Sequence, residues 1–425
     1  MQIVLVNVTT DSNRGSCALT WASLDFVFEA FPQASVAIVP IAVTPPEADP
    51  FRHTRLRYPN VEILPPLFDG EGKRTLALLW RLAKSLAGVF RFDRKRQNQN
   101  RTLEWIRNSD LAVSVGGVHF ETIGGTRRDD ARFVIRLLPL LAAQKIKVPS
   151  VFVGAQVGPF RTRLGRSLFR RCAAKAAVVF PRDRVSASEV ARVEHRRSIL
   201  MPDSAFALNL EQSACYDLFE RHGLDTNAAT LALVISSALR PDERRDDHVA
   251  LFVHVAKRLV AASLFTQIVV VVQCDEDRAI SLELTRSLNL DSCFLIDDDL
   301  NPAQLSNLYA ACRMVISSRL HAMILAMLGG VPAISLAPEV TFKEHAILDL
   351  LGLESLCVPT TTGPDRAAHI CLAIASEADR HRAAVVTAIS VAQLQLSEVP
   401  HHLRELSRKR AANWAGSSEI ALRDA

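Results

Sequence analysis

The stretch Met314-Val315-Ile316-Ser317-Ser318-Arg319-Leu320-His321-Ala322-Met323-Ile324-Leu325-Ala326-Met327-Leu328-Gly329-Gly330-Val331-Pro332-Ala333-Ile334-Ser335-Leu336 reads as strand, turn, helix, glycine pair and strand. Met314 to Ser317 is short, apolar and β-branched. Ala322 to Leu328 has the length and character of a packed helix, and Gly329-Gly330-Val331-Pro332 stops it before a second apolar run. A buried strand leading through a helix into another buried strand is the unit from which parallel α/β sheets are built. The same glycine and proline break leaves the longest uncharged stretch, Ala322 to Pro338, too short to span a bilayer.

Outward from this unit the rhythm repeats. Toward the N-terminus, strand-like runs stand at Ile3 to Val8, Val36 to Val43, Leu111 to Val115, Val151 to Val153 and Ala177 to Phe180. A second series comprises Leu231 to Ile235, Ile268 to Val272, Cys293 to Ile296, Met314 to Ser317 and Ala333 to Leu336. Two Rossmann-like α/β domains are therefore expected. The first covers 1–206, a mixed polar linker 207–230, the second 231–365, and terminal helices with an end that frays from Asn413 cover 366–425.

The chain has 425 residues, is 49% hydrophobic and carries a net charge of +5. That length can bury two cores. The charge is mild and acids are interspersed with bases, so nucleic acid is not an expected partner. Its 8 cysteines lie apart, with no CxxC pair and no Cys/His set at zinc spacing, so no metal site is expected and a reducing compartment is. Met1 to Val6 lacks a basic flank and a cleavage site, and reads as a first strand. A cytoplasmic protein, soluble or peripheral, is the expectation.

The turn after Ser317 places Arg319 and His321 where open α/β sheets bind ligands. A guanidinium together with helix-start N–H groups suits a carboxylate or phosphate, and an imidazole beside it can move a proton. Other strand ends carry related features. Thr9 to Ser16 is a polar loop before a helix starting near Cys17, with Ser16 a candidate cap, and it lacks the GxGxxG and P-loop patterns. Asp110 to Gly117 ends a strand in a glycine pair, which permits close backbone approach. Gly158-Pro159 makes a tight turn that brings Arg161 and Arg163 near, although such arginines are more often solvated. Arg182-Asp183 stands either as an anion-binding element or as a mutual ion pair, and Asp203 reads as a turn residue. Together these features imply an anion site in the cleft between the domains.

One segment breaks the pattern. Between Lys73 and Arg107 stand ten Lys/Arg against Asp93 and Glu104. Leu76, Leu79, Leu82, Leu86, Val89 and Phe90 fall at helical spacing opposite Arg74, Arg81, Lys84 and Arg91. This is either a helix lying on an anionic membrane surface or an insertion packed on its own domain with a solvated charged face.

Taken in order, Asn13-Arg14-Gly15, Asp110 to Gly117, Gln156-Val157-Gly158-Pro159, Arg182-Asp183-Arg184-Val185-Ser186, Pro202 to Phe206, Ser318 to Ala322, Gly330-Val331-Pro332 and Lys343 resemble the polysaccharide pyruvyl transferase family over about positions 3 to 352. The resemblance implies a GT-B-like fold and transfer of a pyruvyl group from phosphoenolpyruvate to the hydroxyls of a saccharide, with no further cofactor. It implies that His321 is the acid/base residue and that Arg319 and Arg182 bind the donor. Leu320, Asn13, Arg14, Gly15, Gly116, Gly117 and Gly158 would complete the substrate site. A lipid-linked acceptor at the inner face of a membrane is the expected partner. The competing readings are a nucleotide-sugar glycosyltransferase of the same fold, or a silent scaffold of an envelope-polysaccharide complex. The insertion at 73–107 and the run His119-Phe120-Glu121 depart from the family pattern. The acceptor sugar and the oligomeric state are not legible.

Overall fold

The computed structural model describes residues 1–41, 49–68, 84–92, 100–193, 197–210, 216–239, 244–337 and 343–408. The chain divides into two compact units. Unit one is Met1–Thr10, Leu19–Ser204 and the chain from Leu394; unit two is Asp11–Ala18 with Ala205–Gln393.

Unit one is built on the strands β1 (Gln2–Val8), β2 (Ser35–Pro40), β3 (Glu62–Ile63), β4 (Leu111–Ser114), β5 (Gly117–Thr122), β6 (Ser150–Phe160) and β7 (Val178–Pro181). They form one sheet in the order β3-β2-β1-β4-β6-β5, with β7 also on β6, and every pairing is parallel. Strand β1 is buried along almost its whole length, as a parallel sheet covered on both faces requires. Phe120 and Phe152 stack at 4.9 Å and Phe160 on Phe169 at 5.2 Å. Each such buried ring contributes about 1.5–3 kcal/mol.

Unit two carries β8 (Thr230–Val234), β9 (Gln267–Val271), β10 (Cys293–Ile296), β11 (Met314–Ser317), β12 (Ala333–Ala337) and β13 (Cys357–Pro359). They are parallel in the order β10-β9-β8-β11-β12-β13. Val234 lies opposite Ser317, and Ser317 opposite Ser335. The C-terminal ends of β8 and β11 are thus level, β12 runs on to Ala337, and their loops share one edge.

The two α/β units agree with the expected fold class, and several local expectations change. The first helix is Arg14–Ala30, three residues earlier than read, and Asn13 rather than Ser16 caps it: its Oδ1 accepts from the Gly15 and Ser16 amides at 3.1 and 3.3 Å. The glycine pair follows the end of β4 at Ser114 as read, and the chain then resumes as a further strand, β5, from Gly117. Within 207–230 the chain forms the helix Tyr216–Arg221 and buries Leu218, Phe219 and Leu224, all counted with unit two. Burial of such apolar residues is what distinguishes a packed segment from a solvated linker.

Most of the basic insertion, including Leu76, Leu79, Leu82, Arg74 and Arg81, lies outside the described residues. Residues 84–91 are helical: Val89 joins the core, Lys84 and Arg91 are exposed, and Phe90 is 72% exposed. One helix among the described residues, Ala378–Arg408, is long and apolar enough to cross a membrane by length and composition. Its buried residues Val385, Ile389, Ala392, Leu396, Val399 and Leu403 recur at intervals of three and four, the stripe of a helix packed on protein. No disulfide joins the seven described cysteines.

Candidate functional site

In unit two the site grows from the turn after β11. Val315 and Ile316 favour the strand. Ser317 then ends it with its hydroxyl, which accepts from the Arg319 amide at 2.8 Å and donates to the Arg319 carbonyl at 3.0 Å. Arg319 is held extended as the N-cap of the helix Leu320–Leu328, and no side chain caps that helix. The positive end of the helix dipole therefore lies at the turn.

Asp277 fixes the arginine. Its fully buried carboxylate accepts from Arg319 Nε at 2.7 Å and Nη2 at 2.5 Å, and from the Ser237 amide and hydroxyl at 2.8 and 2.9 Å. One acid thus ties together the loops after β8, β9 and β11. Burial works against the guanidinium charge, and the bonds and charge of Asp277 outweigh it, so the arginine's pKa is raised. The bidentate contact occupies the Nε/Nη2 edge. Among the described residues no acceptor meets Nη1, so the second edge remains for a planar anion.

His321 follows on the first turn of the helix and is half-buried. Its ring lies on the backbone of Gly15: a Cβ placed there would stand 2.5 Å from His321 Cβ, Cγ and Nδ1. Glycine at 15 is therefore a steric requirement of the imidazole. Leu320 between them is buried, which pins the turn.

The loop carrying Gly15 is fastened by Arg14. Its Nε donates to the Leu300 carbonyl at 3.1 Å, Nη1 to the Ser12 carbonyl at 2.6 Å and to Asp275 at 3.3 Å, and Nη2 to Asp299 at 2.9 Å. Asn13 bridges Cys274. Arg14, expected as a substrate contact, is instead buried and satisfied by protein acceptors. Its effect on a ligand would pass through Gly15 and His321.

Unit one holds the second group. Arg182 is fully buried; its Nη1 donates to the equally buried Asp203 at 2.7 Å and its Nη2 donates to Gln156 Oε1. The mutual pair with Asp183 does not form, because Asp183 caps the helix Arg184–Ala191 through Ser186. Asp203 is thus a counterion and not a turn residue. Arg182, expected as a direct donor contact, presents no surface to a ligand in this arrangement. Gly116 lets backbones close, since a Cβ there would stand 2.8 Å from the Gly154 carbonyl oxygen; Gly117 has φ +131° and passes beneath His119. Gly158, with φ +75°, turns the chain inside β6 beside Glu189. The structure brings Asn13, Arg14, Gly15, Arg319, Leu320 and His321 together in unit two. Gly116, Gly117, Gly158 and Arg182 belong to unit one.

Sequence reasoning missed Asp277. The signal was the triplet Asp275-Glu276-Asp277 immediately after a buried strand, at the same edge as Arg319. No group of three or more metal-binding side chains occurs among the described residues.

A model of the family described as polysaccharide pyruvyl transferase matches residues 13–339, a span that opens on Asn13 and includes both groups. The chain belongs to the polysaccharide pyruvyl transferase family. This is a family of transferases. The amylovoran biosynthesis protein AmsJ of Erwinia amylovora is 23% identical over 267 residues, covering 59% of this chain and 61% of that protein. The chain therefore matches less than two thirds of its relative's length. Among solved structures it resembles the UDP-GlcNAc 2-epimerase of Neisseria meningitidis, with TM-score 0.60, 10% identity and coverage of 96% of this chain and 100% of the other. A putative UDP-N-acetylglucosamine 2-epimerase from Listeria monocytogenes gives TM-score 0.61 at 14% identity, covering 95% and 97%. At such identities the likeness is one of fold.

Two histidines of this pyruvyl transferase family member make its stability acid-sensitive. Burial, aided by Arg136, pulls His119 down to about 3, against an opposing hydrogen bond with the Gly116 backbone. Burial alone pulls His248 to about 4. Below about pH 6.5 the unfolded chain's imidazoles take up protons while these two stay neutral, so stability falls as pH falls between about 6.5 and the folded values. Going from about pH 7 to about pH 5 should cost about 2 kcal/mol per histidine. Urea midpoints at the two pH values test this. A His248→Phe variant should show a smaller difference than wild type; an unchanged difference would clear His248.

Proposed function

We propose that this chain transfers a pyruvyl group from phosphoenolpyruvate to hydroxyls of a saccharide, one carried on a lipid, in surface polysaccharide biosynthesis. The relative named for amylovoran biosynthesis and the family membership support the setting. The observation that carries the chemistry is Arg319, held on one edge by Asp277 with its second edge open, two residues from an imidazole seated on Gly15.

In this reading the open guanidinium edge and the helix N-terminus hold the donor's carboxylate or phosphate. His321 delivers a proton to C3 of the enol, which becomes a methyl group, and C2 becomes electrophilic. A sugar hydroxyl attacks C2, and the C2–O bond to phosphate breaks. A second hydroxyl closes the ketal. Two hydroxyl protons are released in all, one balancing the proton taken by C3 and one leaving with phosphate. Arg319 offsets the charge that gathers on the departing group.

Isothermal titration of the full chain with phosphoenolpyruvate, and separately with UDP-sugars, tests the donor. Phosphoenolpyruvate should bind, and Arg319→Lys should weaken it by about tenfold or more, because an ammonium cannot reproduce a planar two-point contact. Binding of UDP-sugars in place of phosphoenolpyruvate would sink the proposal, and unchanged affinity in the lysine variant would remove Arg319 from the donor site.

A further inference from the structure

We propose that unit one docks on an anionic lipid bilayer through the surface formed by residues 122–132 and 160–170. This surface is distinct from the basic insertion and independent of which donor the site takes.

The two segments are adjacent at the ends of β5 and β6. The Arg161 amide donates to the Thr122 carbonyl at 3.3 Å, and the Thr162 amide to Thr122 Oγ1 at 3.2 Å. A Cβ on Gly165 would stand 2.6 Å from Thr122 Cγ2, and one on Gly125 would stand 3.5 Å from Arg161 Cβ. Glycine at 165 thus lets the helix Arg163–Ala173 sit against the end of β5, which brings the two loops into one surface.

That surface is heavily cationic. Arg127, Arg128, Arg132, Arg161, Arg163 and Arg166 are exposed, and among the described residues none of them forms an ion pair. The nearby carboxylates offset only part of this charge: Asp129 closes the capping box with Thr126 and lies in the field of Arg132 and Arg128, and Asp130 accepts from Thr162 Oγ1 at 2.5 Å. Ile123, 43% exposed, and Leu164, 49% exposed, stand among these arginines. Cations in excess over carboxylates suit any polyanion. Exposed aliphatic side chains in the same two segments suit a bilayer, where they enter the headgroup boundary while guanidiniums meet lipid phosphates. A soluble polyanion gives them nothing to enter, so charge and apolar exposure together select the lipid surface.

The test is co-sedimentation of the full chain with vesicles of phosphatidylcholine, with and without phosphatidylglycerol, at low and high salt. Wild type should partition at least about tenfold better onto the anionic vesicles, and salt should release it. Arg161→Glu with Arg163→Glu, and separately Ile123→Ser with Leu164→Ser, should each lower partitioning by about tenfold, with thermal unfolding unchanged at these exposed positions. If a charge-reversed protein unfolds early, Arg127→Gln with Arg128→Gln serves in its place. Equal sedimentation on neutral and anionic vesicles would overturn the proposal, and so would variants that bind like wild type. Retention on heparin without vesicle binding would also overturn it and make a soluble polyanion the partner.

Discussion

Replacing His321 by alanine should abolish pyruvyl transfer, by about 10²–10⁴-fold in kcat, while donor affinity and thermal unfolding stay close to wild type. A proton-transfer group acts mainly in the transition state, so its loss appears in kcat and spares KM. The ring is half-buried at the first turn of a helix whose packing is made by Leu320, Ala322, Met323 and Ile324, so the fold does not depend on it. Gly15→Ala reaches the same imidazole from the other side. By propensity alone alanine in a helix is favoured over glycine by about 1 kcal/mol. Here the new methyl would stand 2.5 Å from three atoms of His321, its Cβ among them, so the ring must turn away and the backbone beneath it must also shift. A variant somewhat less stable than wild type and far slower is the expected combination, since the overlap outweighs the helix propensity gained. The limb of the pH–rate profile that belongs to the imidazole should shift or vanish in Gly15→Ala. If Gly15→Ala turns over at the wild-type rate with an unchanged profile, His321 does not need its observed position and the catalytic assignment falls. An alanine variant at 321 that loses cooperative unfolding would make the histidine a core residue.

The parts of this fold that were legible in the sequence are those specified locally. Met314 to Ser317 and Cys293 to Ile296 occur as strands with the bounds read from apolar runs: the first is central and buried at every position, and the second, an edge strand only partly buried, is apolar throughout. Strand β5 was missed since Gly117, His119 and Glu121 interrupt that pattern. His119 and Glu121 are polar residues drawn into a sheet end where Arg136 and Gln156 lie close. The partners of the arginines were illegible for another reason. Arg182 meets Asp203 across 21 positions, Arg319 meets Asp277 across 42 and Arg14 meets Asp299 across 285. Periodicity carries no information about such pairs. The same limit explains Asp11–Ala18, which follows β1 in sequence yet belongs to unit two through Arg14 and Asn13. Chain order suggests the first domain, and the hydrogen bonds of one arginine decide for the second.

Asp203→Ala should strongly destabilise unit one. Arg182 and Asp203 are both fully buried and joined at 2.7 Å, and the arginine's Nη2 is bound to Gln156. Removing the carboxylate leaves an uncompensated guanidinium in a low-dielectric interior, a change that costs about 3–5 kcal/mol. For a unit of this size that corresponds to a fall of about 10 °C in unfolding temperature. Replacing both members, as in Arg182→Met with Asp203→Leu, removes the stranded charge together with its partner and should recover much of the loss, so the two effects will be far from additive. An Asp203→Ala protein that unfolds at the wild-type temperature would show that the pair is not closed as observed. The stable double variant also decides what Arg182 does. If it binds phosphoenolpyruvate with wild-type affinity, the arginine only orders the ends of β6 and β7. If affinity drops while the unfolding temperature holds, Arg182 leaves Asp203 to reach the donor, and its burial describes the resting arrangement of the pair.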